Sequence, residues 1–145
     1  GKRAPQRQAY RMWELKRWPQ VLGIKMNIEP KHFPVDDAPS AKIAGLVKNQ
    51  GGYIGGLSLG FLSAVWAEER DITDPDTLIA ITNVSGFDGK ALYEESLTEA
   101  GDKVLEENTQ RAVDADVYGS PFYIVNGEPF WGQDRLDLVE RVLKA

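Results

Sequence analysis

The hydrophobic period of this sequence changes after Gly119, and the change limits the folds open to it. Phe122 to Val125 is aromatic and β-branched, Asn126-Gly127 is a strong two-residue hairpin signal, and Glu128 to Trp131 can return as a second strand. Gly132-Gln133-Asp134 then leads into Arg135 to Leu143, where Leu136, Leu138, Val139, Val142 and Leu143 trace an amphipathic helix. A lone hairpin with one helix is only marginally stable, so its sheet needs strands from elsewhere. Upstream, the sequence offers no convincing partner strand.

Helical spacing dominates up to Tyr118. Tyr10, Trp13, Leu15, Trp18, Val21 and Leu22 predict a helix from Ala9 to Leu22, with Pro19 expected to break or kink it near Trp18 and Gly23 able to end it. Ile24 to Asp37, carrying Pro30 and Pro34, reads as an extended loop. Ser40 is the expected N-cap of a helix from Ala41 to about Lys48, and Gly51-Gly52 and Gly55-Gly56 punctuate the chain before a helix over Leu57 to Arg70. Asp74 as N-cap and Pro75 at the first helical position launch Asp76 to Val84, which Gly86 closes. Asp88 to Tyr118 is too long for one typical globular helix, and Gly101 suggests two in series.

The 145 residues suit one domain, and 42% hydrophobic with 27% charged residues is an ordinary globular composition. A net charge of -5 leaves no basic excess for phosphates, which argues against nucleic acid as a partner. With no cysteine, this sequence supplies no disulfide, no thiolate metal site and no Cys nucleophile. Ile54 to Ala67 is the best membrane-span candidate, but it is too short for a bilayer and contains three Gly, so we expect no membrane partner. The start at Gly1 and the absence of an apolar stretch in Gly1 to Gln8 lead us to expect part of a longer polypeptide.

Two short motifs carry the chemistry. Ser120-Pro121 stands at the entrance of a strand, where proline cannot donate to the ladder. A cis bond there would turn the preceding backbone N–H and C=O outward toward a peptide-like ligand, whereas a trans proline would simply cap an edge strand. Gly132-Gln133-Asp134-Arg135 lies where the second strand enters the last helix, so its free N–H groups can take a carboxylate and Asp134 an ammonium. The alternative is that Asp134 only caps that helix.

The remaining candidates are weaker. Tyr10, Trp13, Phe61, Trp66 and Trp131 read as core aromatics, with the lining of an aromatic pocket as their other use. His32, between prolines, reads as a loop residue rather than a general base. Asp114 and Asp116 point to different helix faces, and the glycines from Gly51 to Gly60 lack the Gly-Lys-Ser/Thr ending of a phosphate loop. No residue set suggests a metal site.

The run from Tyr118 to Leu136, Tyr-Gly-Ser-Pro-Phe-Tyr-Ile-Val-Asn-Gly-Glu-Pro-Phe-Trp-Gly-Gln-Asp-Arg-Leu, closely resembles the C-terminal signature of 2-hydroxychromene-2-carboxylate isomerases. Those are relatives of kappa-class glutathione transferases in the DsbA-like branch of the thioredoxin fold. The resemblance extends through the Tyr10 to Trp18 helix and the Asp71 to Pro75 helix start. It implies an α/β, thioredoxin-like fold with a large helical insertion at 9–118 and a C-terminal β-β-α part at 119–145. Measured against that family plan, the first β-α-β unit is expected to be missing from this sequence, which would leave it mostly helical.

The family's catalytic serine belongs to that missing unit, so no residue here inherits a catalytic role, Ser120 included. The resemblance does imply a glutathione site. Pro121 would be the cis-proline and Ser120 would pair through its backbone with the cysteinyl part. Gln133, through its N–H, and Asp134, through its charge, would hold the γ-glutamyl end. Arg7 falls where the family often has a lysine that reaches the tripeptide, its alternative being a solvated residue on a loose terminus. The implied reaction is thiolate addition to an aromatic 2-hydroxychromene-2-carboxylate, bond rotation and elimination to the trans product, by a cytoplasmic homodimer. A kappa-like transferase or peroxidase, a DsbA-like oxidoreductase relative and a non-catalytic glutathione-binding protein are the alternatives.

Overall fold

The computed structural model describes residues 4–145, so the reading of Gly1 to Gln8 falls in part outside the described residues. Among the described residues there are helices α1 (Pro5–Leu22), α2 (Ala38–Asn49), α3 (Gly55–Trp66), α4 (Pro75–Val84), α5 (Gly89–Ser96) and α6 (Glu99–Asp114), then strands β1 (Phe122–Val125) and β2 (Glu128–Trp131) and helix α7 (Leu136–Leu143). The expected mostly helical chain with a C-terminal β-β-α unit is what forms. No helix among these residues is long and apolar enough to cross a membrane. The chain divides into two compact units, one up to Leu105 and the other Glu106–Ala145.

The core of the first unit follows from helical spacing. Ile43, Leu46 and Val47 of α2, Leu57, Phe61, Ala64 and Val65 of α3, and Leu78 and Ile81 of α4 recur at three and four residues and bury against one another. Leu92 of α5, Val104 of α6 and Ile72 complete the cluster. Two polar groups sit inside it without an orphaned atom: the Thr82 hydroxyl donates to the Leu78 carbonyl at 2.8 Å, and the Ser96 hydroxyl to that of Tyr93 at 2.7 Å.

Several helix boundaries differ from expectation for local reasons. Pro19 lies inside α1 without ending it. Only one amide hydrogen is lost there, and the next turn closes with the Ile24 N–H on the Pro19 carbonyl at 3.0 Å, after Gly23 has adopted the left-handed φ of 65°. Ser40 is not an N-cap. The helix starts at Ala38, whose N–H donates to Asp36 Oδ1, and the Ser40 hydroxyl turns back to the Asp37 carbonyl at 2.8 Å. Gly55 and Gly56 form the first turn of α3, which stops at Trp66 instead of Arg70.

The expected break at Gly101 lies earlier, at Leu97 and Thr98. Gly101 is buried inside α6 because a Cβ there would collide with the Ser96 carbonyl. Asp74, by contrast, caps α4 as expected, accepting from the Thr77 N–H at 3.0 Å with Pro75 next in line.

Residues 24–37 form the extended loop expected, and it is fastened down. The Asn27 N–H donates to the Trp66 carbonyl, while the Glu69 carboxylate accepts from the Asn27 side chain and from the Lys31 N–H. Phe33 packs against Trp66 with ring centroids 4.7 Å apart and the rings tilted by 44°. His32 Nδ1 lies 3.6 Å from Asp71 Oδ2. The Asp71 carboxyl is held below the usual carboxylate range by the Thr73 N–H and hydroxyl, with His32 adding a smaller share.

In the second unit β1 and β2 pair antiparallel, Phe122 opposite Trp131 and Val125 opposite Glu128. Asn126 and Gly127 both have positive φ, 52° and 83°, the tight hairpin turn their dipeptide predicts. No third strand joins this sheet among the described residues.

Candidate functional site

The strand entrance and the helix entrance meet at one edge of the hairpin. Because Phe122 pairs with Trp131, the residues before and after them, Pro121 and Gly132, come opposite one another. The Gly132 N–H donates to the Pro121 carbonyl at 3.0 Å, extending the ladder one step past the strands. The Ser120–Pro121 peptide bond is cis, and Ser120 is exposed.

Gly132 has φ 114° and ψ 149°, a backbone conformation open essentially to glycine alone. Its missing Cβ has a second use: a Cβ there would lie 2.5 Å from Asp134 Oδ1, so the carboxylate lies close over the Gly132 backbone. Asp134 is thereby brought next to the residue that bonds Pro121.

A short 3-10 turn, Gln133–Arg135, precedes α7. Its first bond is from the Arg135 N–H to the Gly132 carbonyl at 3.3 Å, so the Gln133 and Asp134 N–H groups precede the helical ladder, as at any helix start. Asp134 does not cap α7. The N-cap position is Arg135, with no side-chain bond, and the Asp134 carboxylate pairs with the Arg135 guanidinium at 3.0 Å. Arg135 is the residue that sequence reasoning missed. The only signal for it is an arginine directly following the acidic turn residue, and adjacency alone does not show that the two side chains fold onto each other. The half-exposed turn therefore offers N–H donors, a carboxylate and a guanidinium, which together complement a zwitterion.

Aromatic rings flank this edge. Tyr118 meets Phe122 edge-on at 5.3 Å and Trp131 at 5.1 Å, and Gly119 lets the chain pass close to the Trp131 indole. Trp131 is 51% exposed, so the core reading fails for it. It fails also for Tyr10 and Trp13, which stand out from α1, a helix with no buried residue. Phe61 is core, and Trp66 is half-buried against it.

Of the five predicted ligand-binding residues, Ser120, Pro121, Gln133 and Asp134 share the second unit. Arg7 belongs to the first, exposed in the first turn of α1 beside a shallow recess it lines with Tyr10, Arg11 and Glu14. Glu14 is held below the usual carboxylate range by Arg17, 2.8 Å away, and by the Trp18 indole N–H at 2.9 Å. Asp114 accepts from Gln110, and Asp116 lies beyond the helix end.

A family model described as the DSBA-like thioredoxin domain matches residues 2–144. Curated relatives include the 2-hydroxychromene-2-carboxylate isomerase of Sphingobium xenophagum, 26% identical over 136 residues, covering 91% of this chain and 66% of the relative. The enzyme of that name from Pseudomonas putida is 28% identical over 131 residues, covering 90% and 62%. A solved selenomethionine structure of 2-hydroxychromene-2-carboxylate isomerase superposes with a TM-score of 0.75 at 23% identity, covering 94% of this chain and 66% of that one. The chain thus spans less than two thirds of the length of these relatives.

Proposed function

Because the chain belongs to the DSBA-like thioredoxin domain family, we propose that it serves the glutathione-dependent cis-trans isomerisation of 2-hydroxychromene-2-carboxylate or a similar aromatic acid. The observation that carries this reading is the 3.0 Å bond from Gly132 to Pro121, which joins the proline-led strand and the acidic turn into one edge. The donor set fits the γ-glutamyl end of glutathione. The N–H groups of Gln133 and Asp134 take its carboxylate, and the Asp134 carboxylate takes its ammonium. Ser120, next to Pro121, offers its backbone to the extended peptide.

Bound glutathione would supply a thiolate that adds to the conjugated ring system and leaves unchanged after the bond has rotated. This chain's own residues bind and orient. Asp134, paired with Arg135, must exchange part of that ion pair for the ligand's ammonium, so the pair sets a threshold that favours a zwitterion over a simple amine. Tyr118 and Trp131, exposed and packed edge-on at 5.1 Å, stand beside the edge as an aromatic surface.

Calorimetry with glutathione tests the site: we expect saturable binding that Asp134→Asn weakens by about tenfold, the loss of one charge-assisted contact of about 1.5 kcal/mol. Turnover tests the reaction. Loss of the chromene absorbance with glutathione present and no net thiol consumption supports isomerisation, whereas stoichiometric thiol loss would overturn it.

A further inference from the structure

One dipeptide, Trp131-Gly132, touches the chain on both sides of Ser120. On one side the Gly132 N–H holds the Pro121 carbonyl at 3.0 Å. On the other the Trp131 indole lies against Gly119. A Cβ on Gly119 would overlap the indole Nε1 and come within 2.9 Å of Cε2 and 3.2 Å of Cζ2, so the absence of a side chain is what lets the ring lie there. This contact is made by the inner side of the indole and does not depend on its exposed face.

Aromatic rings close the same segment. Tyr118 and Phe122, which bracket residues 119–121, meet edge-on at 5.3 Å, and Tyr118 also meets Trp131 at 5.1 Å. Ser120 stands between the two ties, exposed, and among the described residues neither its N–H nor its C=O has a hydrogen-bond partner. With no ladder bond of its own, the Ser120 peptide unit keeps a fixed direction only if its neighbours are fixed. A fixed direction in turn removes the ordering cost when an extended ligand pairs with it.

We propose that Trp131 is a positioning residue: by packing on Gly119 it holds the Ser120 peptide unit in the direction with which an extended thiol peptide pairs. The identity of that ligand rests on the glutathione reading; the rigidity of Ser120 does not.

Backbone amide nitrogen relaxation, measured by NMR on the chain without ligand, tests the clamp. We expect an order parameter of about 0.85 at Ser120, falling below about 0.6 in Trp131→Ala, with Val125 at the far end of the hairpin unchanged. Gly119→Ala breaks the same contact from the other side and should lower Ser120 likewise. The double variant should be no worse than either alone, because both substitutions remove one contact. In calorimetry, Trp131→Ala should weaken glutathione by about tenfold, the cost of ordering one residue's backbone during binding. A mobile Ser120 in the unaltered chain, a Ser120 that stays rigid in both variants, or a loss of order at Val125 in step with Ser120 in both would each overturn the proposal. If the unaltered chain takes up no glutathione, the glutathione reading fails and relaxation alone decides the clamp. If it binds glutathione and Trp131→Ala binds it as tightly, the clamp fails and the glutathione reading stands.

Discussion

Replacing Gly101 by alanine sets helix propensity against packing, and the structure decides the sign. Gly101 is the third residue of α6, and even in a helix interior alanine is favoured over glycine by only about 1 kcal/mol. At Gly101 the added Cβ would lie 2.7 Å from the Ser96 carbonyl carbon and 2.8 Å from its Cα, closer than real Cβ contacts come. These are backbone atoms, and Ser96 is itself 1% exposed and tied to the Tyr93 carbonyl, so neither helix end can swing aside cheaply. Overpacking of this kind costs about 3 kcal/mol at the upper end of its usual range. The net is a loss of about 2 kcal/mol, the difference of those two values.

Gly56→Ala is the matched control, since Gly56 sits in the first turn of α3 with no atom within 4 Å of an added Cβ. It should be neutral or stabilising by up to about 1 kcal/mol. Urea unfolding followed by far-ultraviolet circular dichroism measures both. A stabilised Gly101→Ala variant, or equal shifts for the two, would refute the packing argument.

Removal of the α4 cap by Asp74→Ala should cost about 1 kcal/mol in the same urea assay, because the Thr77 N–H and hydroxyl both lose their acceptor. The lowered pKa of Asp71 makes its contribution to stability present above the usual carboxylate range and lost as pH falls through the lowered folded value. In a carboxyl-carbon NMR titration, Thr73→Val should move the Asp71 midpoint up toward its ordinary value, since it removes the hydroxyl donor. Glu14 has the same sign, and Arg17→Met should raise its midpoint by removing the larger of its supports.

The elements that were legible in the sequence are those whose cause is local. Asp74-Pro75 carries its own cap and first helical residue, Asn126-Gly127 its own left-handed turn, and the three-and-four spacing of Ile43, Leu46 and Val47 its own buried face. Ser120, Pro121, Gln133 and Asp134 could be singled out because proline at a strand entrance and an acidic residue at a helix entrance have meanings that need no neighbours. Where the reading missed, the deciding group was distant or conditional. The end of α1 at Leu22 before Gly23 was read correctly, but no break came at Pro19 because the next turn closed, and Gly101 looked like a break because the Ser96 backbone it accommodates lies across a helix junction.

The sequence alone determined the kinds of element, their order and the residue types available for chemistry, because backbone preferences and hydrophobic period act over a few residues. Tertiary structure alone decided that Asp134 lies over Gly132 and pairs with Arg135 instead of capping α7, and that Arg11, Lys25 and Trp66 line one cavity. Such juxtapositions depend on how a turn or a set of helices closes in three dimensions. Spacing along the chain does not encode that closure: the Gly132 to Arg135 contacts hang on the dihedral angles of one turn, and the cavity lining on packing between residues far apart in sequence.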